Sequence, residues 1–342
     1  MFPALIEKLR RQEDLSTDEA AAAMGAIMQG EATPAQIAGL LIGLAMKGER
    51  PAELVGLART MRAHAVAVAP REGLVFDTCG TGGDRSGSFN ISTASALVVA
   101  ACGVRVAKHG NRSVSSLCGS ADVLEALGVS VQAPPETAAA CLDEVGIAFF
   151  FAPTFHPAMR HAGQARRDLG VRTAFNLLGP LTNPARPTRQ IVGVPRPDLT
   201  ELLARSLMLL GSERAWVVHG ADGLDELSTT GYTKVSECRD GAVQTFYVHP
   251  ADFGLAKATP ESLHGGDAPT NAAMILTVLD GAAGGPRDVV LLNAGAALFV
   301  AGVASTIRDG IGMAAAAIDN GAAKDILARL VTVSNRSTGA QA

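Results

Sequence analysis

The 342-residue chain is short of aromatics: one Trp, two Tyr and eleven Phe make up 4% of it. Base-stacking platforms for single-stranded nucleic acid are therefore not expected. A basic excess is also missing, with 29 Lys and Arg against 33 Asp and Glu and a net charge of −4, which argues against dedicated nucleic-acid binding. Charged residues reach only 18%, below the usual ~25%. The five cysteines (Cys79, Cys102, Cys118, Cys141, Cys238) form no C-x-x-C pair. Their odd number suggests neither a disulfide framework nor a zinc site, and fits a reducing cytoplasm. The longest apolar run, residues 289–304, is broken by Asn293, Gly295 and Gly302 and is too short to span a bilayer. Residues 1–12 lack the basic-then-apolar order of a signal peptide. No nucleic-acid or membrane partner is expected. Against these absences stands a hydrophobic content of 48%, enough for a sizeable core. At about 150 residues per domain, the length suggests two units, or one large domain with an appendage.

The first seventy residues read as helices only. Ser16 with Glu19 forms a capping box ahead of residues 20–28. Thr33 followed by Pro34 marks the start of a second helix running to about Lys47, with Gly48 as its stop, and Pro51 opens a third. From Val75 the rhythm changes. Short β-branched runs at 75–76, 104–106, 147–151, 191–194 and 216–218 alternate with helical stretches at 94–101, 122–127, 136–144 and 199–210. Several of these helices end at glycine (Gly103, Gly128, Gly146, Gly211). The alternation predicts an α/β sheet with parallel strands and ligands at their carboxyl ends. Residues 154–181 show no strand pattern and are expected to return to the helical unit. The tail after about Val333 reads as frayed. The expected architecture is a small all-helical domain, 1–70, joined by part of 154–181, and a larger α/β domain, 71–335, with a mostly parallel central sheet.

Four segments could carry chemistry. The first runs Asp77-Thr78-Cys79-Gly80-Thr81-Gly82-Gly83-Asp84 and continues through Gly87-Ser88-Phe89-Asn90-Ile91-Ser92-Thr93. Its glycines let backbone N–H groups approach an anion, and the helix start beyond them favours phosphate. A strained turn with an ordinary N-cap is the plainer alternative. A dinucleotide fingerprint would need glycine at Arg85 and a Walker loop would need lysine at Ser88. The acid Asp84 requires a metal, a ribose hydroxyl or a base to offset its charge beside phosphate. The second segment is Lys108-His109-Gly110-Asn111-Arg112-Ser113-Val114-Ser115-Ser116, with Ser120 starting a helix; two such loops after successive strands point to a polyphosphate site. The third is the pair Asp225-Glu226, suited to Mg²⁺ shared with substrate phosphates. The fourth is His156-Pro157-Ala158-Met159-Arg160 with Arg166-Arg167, where an arginine could grip a carboxylate; the sequence leaves open which arginine points inward. No nucleophile motif is present, so the expected chemistry is positioning and charge neutralisation.

With these residues the chain resembles the anthranilate phosphoribosyltransferase family over roughly residues 5–330. The resemblance rests on G-T-G-G-D at 80–84, N-x-S-T at 90–93, K-H-G-N-R-S-V-S-S at 108–116 and G-S-A-D-V-L-E-A-L-G at 119–128. It continues with H-P-A-M-R at 156–160, R-T-A-F-N-L-L-G-P-L-T-N-P at 172–184, D-G-L-D-E-L-S-T-T at 222–230 and G-G-D-A-P-T-N-A-A at 265–273. It implies a nucleoside phosphorylase/phosphoribosyltransferase-like fold with the active site between a helical and an α/β domain. It further implies transfer of the phosphoribosyl group of 5-phosphoribosyl 1-diphosphate to the amine of anthranilate in tryptophan biosynthesis, with Mg²⁺, in a cytoplasmic homodimer.

By the same resemblance Gly80, Gly83, Asp84, Ser88, Asn90, Ile91, Ser92, Thr93, Lys108, His109, Gly110, Asn111, Arg112, Ser113, Val114, Ser115, Ser116 and Ser120 hold the diphosphate substrate. Ser92, Asp225 and Glu226 hold magnesium. Gly80, Asn111, His156 and Arg166 contact anthranilate, with Arg166 on its carboxylate. Lys108, His109, Asp225 and Glu226 are the implied catalytic groups. One departure falls at Leu117-Cys118, where the family often has Lys then Ser; it removes a cation beside the phosphates. The competing expectations are a pyrimidine nucleoside phosphorylase, a phosphoribosyltransferase with another acceptor, and a catalytically silent nucleotide- or nucleic-acid-binding relative.

Overall fold

The computed structural model describes residues 1–68, 73–84, 86–113 and 117–336. Four helices come first: α1 (Phe2–Arg10), α2 (Thr17–Gln29), α3 (Pro34–Lys47) and α4 (Pro51–Ala63). Their starts are the ones local chemistry dictates. Ser16 Oγ accepts from Glu19 N–H while the Glu19 carboxylate accepts from Ser16 N–H. Thr33 and Gln36 repeat that exchange. Most of the segment 1–12 is α1, which agrees with the helical reading of the first seventy residues. Inside this unit Glu53 is fully buried and accepts from Leu15 N–H, Arg50 N–H and the buried Lys47 ammonium.

The α/β part follows as β1 (Val75–Gly80), α5 (Ile91–Ala101), β2 (Arg105–Gly110), α6 (Ser120–Ala126), α7 (Pro135–Ala140), β3 (Ile147–Phe151), α8 (Ala152–Phe155), α9 (Arg160–Leu169), α10 (Ala174–Leu178), β4 (Arg189–Gly193), α11 (Leu199–Leu209) and β5 (Arg214–Gly220). Then come β6 (Thr233–Arg239), β7 (Ala242–Val248), α12 (Ala268–Leu279), α13 (Gly285–Ala301), α14 (Ile307–Asp319) and α15 (Ala322–Ser334). The sheet order is β3-β2-β1-β4-β5-β6-β7, parallel through β5. The last two strands pair antiparallel.

The sheet therefore departs from expectation at one edge, since β6 and β7 were not anticipated. β6, Thr233–Arg239, mixes charged with apolar residues although it is mostly buried, and β7, Ala242–Val248, is the mostly exposed edge strand, so neither shows a long apolar run. The stretch 136–144 is α7 continued by a π turn, Cys141–Val145. β1 and β2 run several residues past their apolar cores, to Gly80 and Gly110, and those extra polar residues are the ones that reach the site. Of the tail, α15 extends to Ser334, and residues 337–342 lie outside the described residues.

Two apolar cores form. One packs α5, α13, α14 and α15 on the sheet; the other joins α1–α4, α9, α10 and α11 to β4 and β5. The strandless stretch 154–181 supplies α9 and α10, which pack on α2, α3 and α4. No helix among the described residues is long and apolar enough to cross a membrane.

Candidate active site

In a sheet of order 3-2-1-4-5 the connections leave β1 and β4 to opposite sides, which opens a crevice at the carboxyl ends of the strands. The glycine-rich segment after β1, the loop after β2 and the turn after β5 all emerge there. Their close approach depends on absent side chains. Thr81 N–H donates to Gly193 O at the end of β4 (2.9 Å), and a Cβ on Gly193 would overlap the Asp225 carbonyl. A side chain at position 193 would therefore push the acidic turn off the sheet.

Asp225 and Glu226 are half-buried. Loss of water, then the nearby Asp84 charge, pushes the Asp225 carboxyl up to about 7. Loss of water, then Asp225 itself, pushes Glu226 up to about 8. Three acids thus converge with too little positive charge. Glu226 Oε1 accepts from Ser92 N–H at 3.1 Å, at the start of α5. The buried Lys108 ammonium donates to Thr78 O (2.7 Å) and Ser92 Oγ (3.1 Å). Burial lowers the Lys108 pKa, against the pull of Asp77, Cys79, Glu226 and Asp225.

This donor set fits Mg²⁺, an oxygen-seeking ion commonly held by one or two carboxylates plus substrate phosphates. Among the described residues no three His, Cys, Asp or Glu side chains already form a complete cage, so the remaining oxygens would come from substrate.

Below the acids lies a buried polar network. Asp77 accepts from His109 N–H (3.3 Å) and from the Asn183 amide (2.8 Å), and Asn183 also donates to Ala107 O (2.7 Å). Burial raises the Asp77 pKa. His109 Nδ1 lies 3.1 Å from Gly179 O, its Nε2 has no partner among the described residues, and its ring centroid is 5.2 Å from that of His156. Neither His156 nitrogen has a partner in hydrogen-bond geometry among the described residues. Burial lowers His109 to about 3, with His156 adding to the effect, and burial lowers His156 to about 4. Both rings are neutral at physiological pH.

Other expected site residues fall out as follows. Gly80 ends β1 directly under Asp225, where a Cβ would sit 2.7 Å from Oδ2. Asp84 accepts from Ser86 Oγ, which in turn accepts from Ser88 Oγ at 3.0 Å. Gly110, Asn111 and Ser120 meet at the turn from β2 into α6, where Ser120 Oγ donates to Asn111 O (3.4 Å). Ser113 N–H donates to Asp122 (3.0 Å).

Arg112, expected on phosphate, is paired with Asp122 (3.0 Å) and Glu125 (2.8 Å), which raises its pKa. Ile91 gives its side chain to the core, and its N–H donates to Phe89 O. Thr93 is also buried, and its hydroxyl has no partner among the described residues. Val114, Ser115 and Ser116 lie outside the described residues. Of the open arginine choice, Arg166 stacks over Phe175 of α10 (5.3 Å to the ring) and has no carboxylate partner among the described residues. Loss of water lowers its pKa. Arg167 instead bonds Gln164 on the same helix (2.9 Å).

Sequence reasoning gave no role to Arg172. It donates to Thr81 O (3.0 Å), its charge bears on Asp225, and a Cβ at Gly83 (φ +86°) would overlap its guanidinium. The only signal was its place at the head of the 172–184 motif.

A helical bundle on a parallel sheet, with a crevice of acids and glycine-rich loops at the strand ends, is the build of a two-part glycosyl transferase. The chain matches the glycosyl transferase family, helical bundle domain, over residues 3–65, and the glycosyl transferase family, a/b domain, over residues 72–324. Within it, the chain belongs to the anthranilate phosphoribosyltransferase family. It is 54% identical to anthranilate phosphoribosyltransferase of Moorella thermoacetica, over 97% of this chain and 98% of that one. The crystal structure of anthranilate phosphoribosyltransferase from Thermus thermophilus superposes with a TM-score of 0.91 at 44% identity, covering 96% of this chain and 99% of that one. The Saccharomyces cerevisiae enzyme in complex with PRPP and Mg superposes at 0.88 and 25% identity, covering 97% of each.

Proposed function

We propose that the protein transfers the phosphoribosyl group of 5-phosphoribosyl 1-diphosphate to the amine of anthranilate, giving N-(5-phosphoribosyl)anthranilate and diphosphate in tryptophan biosynthesis. One observation carries the reading: charges of both signs on the elements around the crevice are left without full compensation. Asp84, Asp225 and Glu226 outnumber the charges of Lys108 and Arg172 that bear on them, while Arg166, on the segment that also supplies Arg172 and Gly179, has no carboxylate partner among the described residues. A diphosphate with its cation and a carboxylate-bearing amine would satisfy both.

In this reading the amine nitrogen attacks C1 of the ribose, the C1–O bond breaks and diphosphate leaves, through an oxocarbenium-like transition state. Lys108 and the loop N–H groups stabilise the leaving charge. Asp225, Glu226 and Ser92 would hold Mg²⁺, which supplies charge neutralisation of the diphosphate. Asp84, Ser88, Asn90 and the 108–120 loop hold the phosphates. Arg166 takes the anthranilate carboxylate, with His156, Asn111 and Gly80 beside the ring. An aromatic amine is unprotonated at pH 7 and already nucleophilic, so no strong base is needed, and the proton its nitrogen sheds on forming the N–C1 bond passes to the departing diphosphate or to water; His109 and His156 beside it are neutral.

The unit 1–70 with part of 154–181 forms one wall and 71–335 the other. A cytoplasmic homodimer, tested by light scattering, completes the reading; all five cysteines are free, as that compartment requires.

The test mixes purified protein with anthranilate, Mg²⁺ and phosphoribosyl diphosphate and follows anthranilate fluorescence. Decay that needs all three and stops with EDTA is expected. No decay with folded protein overturns the reading.

A further inference from the structure

We propose that Asn271, in the first turn of α12, is a positioning residue that acts through Asn90 to set the spacing of the two phosphate-holding loops. The proposal rests on the reading above of residues 80–93 and 108–120 as the diphosphate site.

The observation is a one-way chain of amides. Gly266 N–H donates to Asn271 Oδ1 (2.7 Å), Asn271 Nδ2 donates to Asn90 Oδ1 (2.9 Å), and Asn90 Nδ2 donates to the Cys118 carbonyl (3.2 Å). Each end is a backbone group of fixed character, a donor at Gly266 and an acceptor at Cys118. Neither amide can flip without placing like groups face to face, so the polarity of both side chains is forced. Asn271 is 1% exposed, so a broken link there has no water to replace it.

Asn90 occupies the N-cap position of α5, yet its side chain caps nothing. An N-cap asparagine ordinarily bonds the helix's own free N–H groups. Here the amide is diverted to tie the first loop to the second.

Backbone pairing supports the same arrangement. Phe89 N–H donates to Leu263 O (3.0 Å), Gly265 N–H donates to Gly87 O (2.8 Å), and Ser88 pairs with His264. The stretch leading into α12 is thus the back wall of the first loop, and Asn271 carries its position across to Cys118. A diphosphate gripped by both loops needs their separation held to a fraction of an ångström. Asn90 takes the carbonyl of residue 118, and the Cys118 thiol in turn bonds the Asn271 side chain, so residue 118 meets both amides.

The test compares KM for each substrate in Asn271→Asp, which keeps the acceptor toward Gly266 and loses the donor toward Asn90. KM for phosphoribosyl diphosphate should rise about 3–10-fold, the effect of one lost hydrogen bond. KM for anthranilate should be unchanged and kcat should stay within about twofold. In an Asn90→Ala background the same substitution should add nothing. If Asn271→Asp does not fold, Asn271→Ser is judged by the same values.

Ser236→Ala, which cuts bonds to Thr200 and Thr245 on the far side of the sheet, serves as a comparator for general loosening. Equal rises in both KM values, no rise, additivity with Asn90→Ala, or the same rise in Ser236→Ala would each overturn the proposal. Calorimetry with Asp225→Asn/Glu226→Gln separates the two levels. If that variant binds phosphoribosyl diphosphate as tightly as wild type, the site reading itself is wrong, whatever Asn271 does.

Discussion

Replacing Arg166 by alanine separates recognition from folding in one measurement. A charge-assisted hydrogen bond contributes about 1.5–3 kcal/mol, and ~1.4 kcal/mol is tenfold in affinity. Loss of the guanidinium should therefore raise KM for anthranilate about 10–150-fold. The cost to the fold should be small. Arg166 touches Phe175 at 5.3 Å and pairs with no carboxylate among the described residues. Such a cation–π contact is worth ~0.5–1 kcal/mol at an accessible site, and relief of the desolvation that now lowers the Arg166 pKa offsets part of it. The melting temperature should then move by no more than about 2–3 °C.

Arg166→Lys keeps the charge but loses the fork, so its KM should lie between the two. The decisive control is aniline, which offers the amine without the carboxylate: wild type and Arg166→Ala should use it with equal kcat/KM. A KM change under about threefold, or an equal loss on aniline, would refute carboxylate recognition by Arg166.

Three further outcomes follow from the same geometry. Folded Asp225 and Glu226 hold protons up to about pH 7 and 8, whereas the unfolded chain releases them near 3.8 and 4.5. Stability of the metal-free protein should therefore fall as pH rises from about 4 to 8. Asp225→Asn/Glu226→Gln should flatten that slope in thermal melts and cut kcat steeply. His109 and His156 are neutral in the fold down to about 3 and 4 against 6.5 unfolded. Their stabilisation is present above pH 6.5 and is lost as pH falls through those values, so His156→Leu should blunt the acid limb of the urea-unfolding profile. Glu53→Ala leaves the Leu15 and Arg50 N–H groups unpaired and takes one of three partners from Lys47, which keeps Asp14 and the Gly48 carbonyl; it should cost about 2–5 kcal/mol in urea unfolding with kcat of the folded fraction unchanged.

Local chemistry was legible wherever it is local. The capping box at Ser16, the helix start at Thr33, the Pro51 start and the positive-φ glycines Gly103, Gly128, Gly146 and Gly211 stand where the spacing predicts them. So do the five parallel strands: the run 147–151 is β3, while 75–76 and 104–106 stop short because β1 and β2 end in polar residues that periodicity does not count. β6 and β7 were missed for a related reason: an edge hairpin needs no long apolar run. Arg112, placed on the diphosphate by the resemblance, also pairs with Asp122 and Glu125, ten and thirteen residues away, a contact that its loop did not announce.

What the sequence alone determined is the order of helices and strands and the loops rich in glycine, amide and charge, since each follows from residues a few positions apart. The tertiary structure alone decided which distant groups meet. It brought Arg172 onto Gly83, Asn183 onto Asp77 and Asn271 onto Asn90, the last pair 181 residues apart. It also raised the carboxyl pKa values at 225 and 226, because desolvation and neighbouring charge belong to the packed crevice and not to either residue.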